Sequence, residues 1–309
     1  MALFVAIDCG GTKTRCWIAD ETRVLAKAEC GTVKLMVVGA AVATERMEEL
    51  VRGAARDADV KLNEITRTCV GLAGFGSANV YEWGKTTLGA LVSGELVLVG
   101  DETVAFEAAF RGGPGVFLIA GTGAIISARC SDGSRFGAGG FGPVLGDEGS
   151  GAWIGWEGVR AGFRARDRGE ATMLLDAVRQ FWGLNSLAEL IAKGNDRERA
   201  NFAELAEVVA QCAERGDAVA IDVLRRGGKE LAEQVLLAVK KMQSTGCAAT
   251  DYSRLQFTGS AVGKIAIVRE AMTARLHEEL AIDVPTEEVN AVEGALWLAR
   301  DAAGTREVS

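Results

Sequence analysis

Apolar positions in the first thirty residues fall into three short runs, Leu3 to Asp8, Thr14 to Ala19 and Val24 to Ala28, each rich in β-formers and separated by polar or glycine turns. Three successive strands are predicted. From Ala40 to about Asp59 the spacing changes to a helical period. The chain then alternates strand "TRTCVGLAG", a helix around Val80 to Val92, strand "ELVLVG" and a helix from Glu102. After the turn "RGGPG" the order restarts with strand "GVFLIA", turn "GTG", strand "AIISARC", turn "SDGS" and a poorer third strand. The two openings superpose in sequence. "DCGGTKTRCWIADETR" has its glycine turn at Gly10 and its polar turn at Glu21, and "AGTGAIISARCSDGSR" has the equivalents at Gly121 and Asp132, at the same offset. The pattern predicts an α/β chain of two mixed-sheet domains related by an internal repeat, with a cleft between them.

The expected boundaries are a first domain over 1–110 and a second over 111–284, the latter carrying an all-helical insertion, 171–244, dense in Ala, Leu, Glu and Arg. A terminal segment, 285–309, holds a helix over Glu287 to Asp301 that is expected to cross back onto the first domain. The 309 residues suffice for two domains with their own cores. A net charge of −8 without any basic block excludes the electrostatic footprint of a nucleic-acid binder. The single histidine, His277, lies in the helical stretch "AMTARLHEELAI", which removes Ser-His-Asp chemistry and His-rich metal sites. Seven dispersed cysteines (Cys9, Cys16, Cys30, Cys69, Cys130, Cys212, Cys247) form no C-x-x-C pair and read as reduced thiols, mostly in the core. No apolar stretch reaches membrane-spanning length and no leader precedes the first strand, so a cytoplasmic protein is expected.

The candidate chemistry lies in the turns. Asp8 precedes Gly10, Gly11, Thr12, Lys13 and Thr14, whose small residues and free N–H groups suit a phosphate; an ordinary β-hairpin turn is the alternative. Gly121, Thr122 and Gly123 repeat the arrangement, so a phosphate chain could be held by both. "GSAVGKIA" is not a Walker A loop, being one residue short and having Ile265 after Lys264, and "GAGGFG" is too far from a βαβ start for a dinucleotide site. In "GAGGFGPVLGDEGSGAWIG", Asp147 and Glu148 stand where they could read sugar hydroxyls or cap the helix that follows. Asp101 ends the strand "ELVLVG", where α/β folds bind ligands, and could equally be an N-cap.

"DCGGTKT", "AGTGA", "GGFGPVLGDEGSGAWIG" and "FTGSAVG", in this order, resemble the BadF/BadG/BcrA/BcrD ATPase family, and within it the N-acetylglucosamine kinase branch of the actin/Hsp70/sugar-kinase superfamily. The resemblance implies two ribonuclease H-like (actin-like ATPase) domains with mixed five-stranded sheets flanking a nucleotide cleft. By it, Asp8 would hold Mg²⁺ through water, Gly10 to Thr14 and Gly121 to Gly123 would bind the phosphates of ATP, and Gly259, Ser260 and Gly263 would bind the adenosine. Asp101 falls at the catalytic base, and Gly139, Gly140, Phe141, Asp147 and Glu148 at the sugar loop. The chain departs from the family where an Asn-rich loop often follows the third strand. It has "CGTVKLMVVG" there, offering Thr32 and Lys34, and it has Phe141 for a frequent Trp and Ala124 for a frequent Ser.

The implied activity is ATP-dependent phosphorylation of an amino sugar, N-acetylglucosamine or N-acetylmuramic acid. The alternatives are a glucosamine kinase, an ATPase activator of a 2-hydroxyacyl-CoA dehydratase and a kinase-like sugar sensor. A homodimer is one assembly left open, and neither nucleic acid nor membrane is expected as a partner. The cation Lys34 would favour a sugar carrying a carboxylate.

Overall fold

β1 (Phe4–Cys9) is buried along its whole length, which is why its sequence lacks the alternation of a half-exposed strand. In this computed structural model, residues 2–196 and 200–301 are described, and they divide into two units. The described residues of 1–112 and 289–309 form one; Gly113–Glu288 form the other.

In the first unit, β2 (Lys13–Ala19) and β3 (Val24–Gly31) continue from β1 as an antiparallel meander, while β4 (Arg67–Leu72) and β5 (Glu95–Gly100) run parallel to it in the order β3-β2-β1-β4-β5. α1 (Leu35–Asp57) is interrupted at Gly39, whose φ of 76° leaves the helix, so its regular part begins where the helical period starts in the sequence. α2 (Ala78–Gly89) and α3 (Asp101–Phe110) follow β4 and β5. A Cβ on Gly71 of β4 would collide with Val104, so glycine there lets α3 lie close to the sheet.

The second unit repeats the meander with β6 (Gly115–Ala120), β7 (Ala124–Arg129) and β8 (Arg135–Gly139), and adds β9 (Leu255–Thr258) parallel to β6, in the order β8-β7-β6-β9. Among the described residues this sheet has four strands, not the expected five. After α10 the chain at 281–285 is not assigned to a strand, although Ile282 and Val284 are buried in the core.

α4 (Gly151–Arg168) leads into α5 (Leu174–Phe181), α6 (Leu187–Asn195), α7 (Leu205–Glu214) and α8 (Ala218–Ser244). Asp217 caps α8 by accepting the N–H groups of Val219 at 2.9 Å and Ala220 at 3.1 Å. α9 (Ser260–Gly263) and α10 (Ala266–His277) follow β9. α11 (Ala291–Arg300) packs against β1 and α3 of the first unit, so closely that a Cβ on Gly294 would collide with the Val104 carbonyl.

One cysteine expectation is corrected. Cys130 and Cys247 are joined in a disulfide across 117 residues, their Cα atoms 5.8 Å apart, because the fold brings the turn after β7 to the end of α8. Cys9, Cys16, Cys30, Cys69 and Cys212 are free thiols. Among the described residues no helix is long and apolar enough to cross a membrane.

Candidate active site

Register places the first group. Asp8 of β1 pairs with Gly71 of β4, and Gly71 with Val99 of β5, so Asp8 and Asp101 emerge at the same carboxyl edge of the parallel strands. Both also bear on Cys9: burial first, then the charges of Asp8 and Asp101, push its thiol well above the usual range. Burial pushes Asp8 up to about 6 against the pull of Arg15 and Lys13. Arg15 faces Asp8 across the hairpin, 3.7 Å from its Oδ2.

Asp101 is the first residue of α3, and the residue before it, Gly100, occupies the cap position. Its carboxyl accepts the adjacent Glu102 N–H, at 3.2 Å to Oδ1, and shares a hydrogen bond with the Glu102 side chain, an arrangement unlike an ordinary helix cap. Burial, then Glu102 and the charge of Asp8, push Asp101 up to about 7.

The hairpin turn is closed by the Gly10 N–H donating to the Lys13 carbonyl at 3.0 Å. Gly11 projects outward, with no atom within 4 Å of where a Cβ would stand, and Thr12 is exposed. Lys13 pairs with Glu29 on β3 at 3.6 Å. Thr14 is fully buried, and its Oγ1 has no hydrogen-bond partner among the described residues. Thr32 braces this turn: its hydroxyl donates to the Gly10 carbonyl at 2.9 Å and its N–H to the Thr12 carbonyl at 3.1 Å. Its hydroxyl is therefore engaged by the protein. Lys34 caps α1 and is half-buried, and its ammonium has no ion pair among the described residues.

In the second unit the Gly121–Gly123 turn is seated on the start of α4, whose Gly151 and Ala152 N–H groups donate to the Gly121 and Thr122 carbonyls at 2.8 and 3.2 Å. Gly259, at φ 113°, closes on the same turn, where a Cβ would collide with Ala120. Its N–H donates to Glu288 at 2.9 Å; Ser260 is exposed and Gly263 half-buried.

Asp147 adopts φ 61° and is buried. Its carboxylate is raised by burial and lowered by the N–H groups of Ala124 and Gly142, which it accepts. It ties the loop to the glycine turn. Glu148 is half-buried beside Gln234 of α8, whose Nε2 donates to the Glu148 carbonyl at 3.0 Å. Gly139 lies against Gln234 Oε1, Gly140 donates to the Ala124 carbonyl at 2.9 Å, and Phe141 is 71% exposed.

Arg15, Gln234 and Glu288 were not singled out from the sequence. Of these only Arg15 had a local signal, its hairpin register opposite Asp8. A hard cation that prefers carboxylate and water oxygens suits Asp8: the carboxyl is buried, its neighbouring cations do not offset that burial, and an unpartnered Thr14 hydroxyl lies in the same hairpin.

The family model described as BadF/BadG/BcrA/BcrD ATPase family matches residues 5–299. An N-acetylmuramic acid/N-acetylglucosamine kinase from Clostridium acetobutylicum is 29% identical over 247 residues, 78% of this chain and 79% of that protein. An N-acetyl-D-glucosamine kinase from Dictyostelium discoideum is 26% identical and covers 89% and 90%. The fold is also that of a candidate N-acetylglucosamine kinase from Chromobacterium violaceum, with a TM-score of 0.75, 24% identity and coverage of 97% and 99%.

Proposed function

Because the chain belongs to the BadF/BadG/BcrA/BcrD ATPase family, we propose that it is an ATP-dependent kinase for an N-acetylated amino sugar, N-acetylglucosamine, N-acetylmuramic acid or both. The observation that carries this reading is Asp101, a carboxyl at the sheet edge, released from capping and held near 7. A base of that strength accepts the proton of an attacking hydroxyl at neutral pH, the main acid–base task in phosphoryl transfer.

The rest is positioning and charge. The Gly10–Thr14 turn in the first unit and the Gly121–Gly123 turn in the second each offer N–H groups to phosphate oxygens, and the open positions at Gly11 and Gly121 leave room for them. Asp8 would hold Mg²⁺ through water; when bound, the ion offsets the phosphate charge. Asp147 keeps the second turn and the loop in register. The paired thiols a shared iron–sulfur cluster would need are not offered: Cys130 and Cys247 are bonded to each other, and four of the five free cysteines are buried. A cytoplasmic location, where ATP is plentiful, and a homodimer complete the proposal.

A coupled assay of ADP release tests it against N-acetylglucosamine, N-acetylmuramic acid, glucosamine, N-acetylmannosamine and glucose, with and without Mg²⁺. Turnover should require the metal and an N-acetylated amino sugar. Equal turnover without any sugar would exclude a kinase.

A further inference from the structure

The disulfide joins the turn between β7 and β8, which leads into the Gly139–Glu148 loop, to the segment just past α8. Cys130 opens the tight turn between β7 and β8, donating its N–H to the Ser134 carbonyl at 2.9 Å, and β8 begins one residue later. Cys247 lies just past α8, its N–H on the Met242 carbonyl at 3.1 Å. α8 then runs back along the loop as a strut. Lys241 Nζ donates to the Gly137 carbonyl of β8 at 2.6 Å, and two turns further back Gln234 donates to the Glu148 carbonyl at 3.0 Å. Gln234 Oε1 is buried against Gly139 without a hydrogen-bond partner among the described residues, so the loop and this helix fit tightly but are held by few bonds.

We propose that Cys130–Cys247 is a thiol–disulfide exchange site, open to a small thiol, whose state sets how firmly α8 supports the Gly139–Glu148 loop. Cys247 is half-buried and Cys130 is 3% exposed, so an incoming thiolate attacks Cys247 Sγ. The sulfur–sulfur bond breaks, Cys130 leaves as a thiolate and takes up a proton. A second thiolate attacks the mixed disulfide, releasing Cys247, which is also protonated, and the external disulfide. Two external thiols are oxidised as the protein's disulfide is reduced to two thiols. Asp251, which accepts the Ser131 N–H at 3.0 Å and also its hydroxyl, has a carboxylate oxygen within 4.8 Å of both sulfurs. Its negative charge opposes the thiolates and favours the closed bond, so opening answers to strongly reducing conditions.

The exchange site stands on its own, while the effect on sugar rests on the kinase reading. The experiment therefore reads both. Wild type is compared oxidised, reduced with dithiothreitol and reoxidised, beside Cys247→Ser, in which the bond cannot form. Labelled after unfolding, the oxidised protein should count five thiols and protein first reduced without denaturant should count seven. Hydrogen exchange over residues 137–148 should be faster in the reduced protein and in Cys247→Ser, and reoxidation should restore only wild type. The KM for N-acetylglucosamine should rise by about 3- to 10-fold with the KM for ATP unchanged. A bond that opens only in denaturant, or loop exchange that is equal in both states, would overturn the proposal. These two readouts do not depend on kinase activity, so a failure of the kinase reading would appear separately, as turnover without sugar.

Discussion

Gly123 faces the Asp147 carboxylate so closely that a Cβ would stand 2.7 Å from Oδ2, whereas at Gly11 and Gly121 a Cβ would meet nothing within 4 Å. The glycines of the two turns therefore serve different ends. Gly123→Val should push Asp147 off the Ala124 and Gly142 N–H groups and lower stability by about 1–3 kcal/mol, measured by urea unfolding. Gly11→Val and Gly121→Val should hold stability within about 0.5 kcal/mol yet weaken ATP binding in calorimetry, because the added side chains occupy ligand space. Unchanged ATP affinity in both would remove these turns from the phosphate site.

Asp101→Asn should reduce kcat by roughly 10²- to 10⁴-fold, the range for a positioned general base, with ATP binding retained. Near-normal turnover would return Asp101 to a structural role and make Asp147 the next carboxylate to test.

The raised pKa of Asp101 also predicts a pH profile. The base form prevails only above about 7, so kcat/KM should fall as pH drops through that value, and Asp101→Asn should lack this limb. Stability moves the other way. The folded protein holds the Asp101 proton more tightly than the unfolded chain, so the group's contribution is fully present below the ordinary carboxylate range and is lost as pH rises through about 7. Asp101→Asn should thus be the more stable protein at pH 8, by on the order of 1 kcal/mol or more, and its advantage in Tm should narrow toward pH 5.

Lys34 supplies a test of substrate. A half-buried ammonium with no ion pair among the described residues would gain from the lactyl carboxylate of N-acetylmuramic acid. Lys34→Met should lower the ratio of kcat/KM for N-acetylmuramic acid over N-acetylglucosamine by roughly 10- to 100-fold. A constant ratio would make Lys34 a bystander.

What could be read beforehand was what depends on short-range pattern. The repeated meander, the two glycine turns, the helical insertion and the strand-end position of Asp101 all follow from residues a few places apart. Thr32 and Asp147 stand out in the sequence, but whether a short polar side chain turns to a ligand or to a neighbouring N–H or carbonyl depends on loop geometry that no periodicity encodes. Gln234 looks like any polar residue of an Ala- and Leu-rich helix until α8 is laid beside the loop. The Cys130–Cys247 bond joins residues with no local signal.

The seat of α11 on β1 and α3 carries a consequence for how the chain is made. A ribosome delivers β1 through α3 first, yet the helix that covers them emerges only after the whole of Gly113–Glu288. The second unit is continuous in sequence and can fold as it leaves the exit tunnel. The first must wait with an uncovered apolar face, so the nascent chain is most exposed to aggregation and chaperone capture during the interval between α3 and α11. Synonymous changes that slow translation across 113–288 should lengthen that interval and lower soluble yield without altering a single residue.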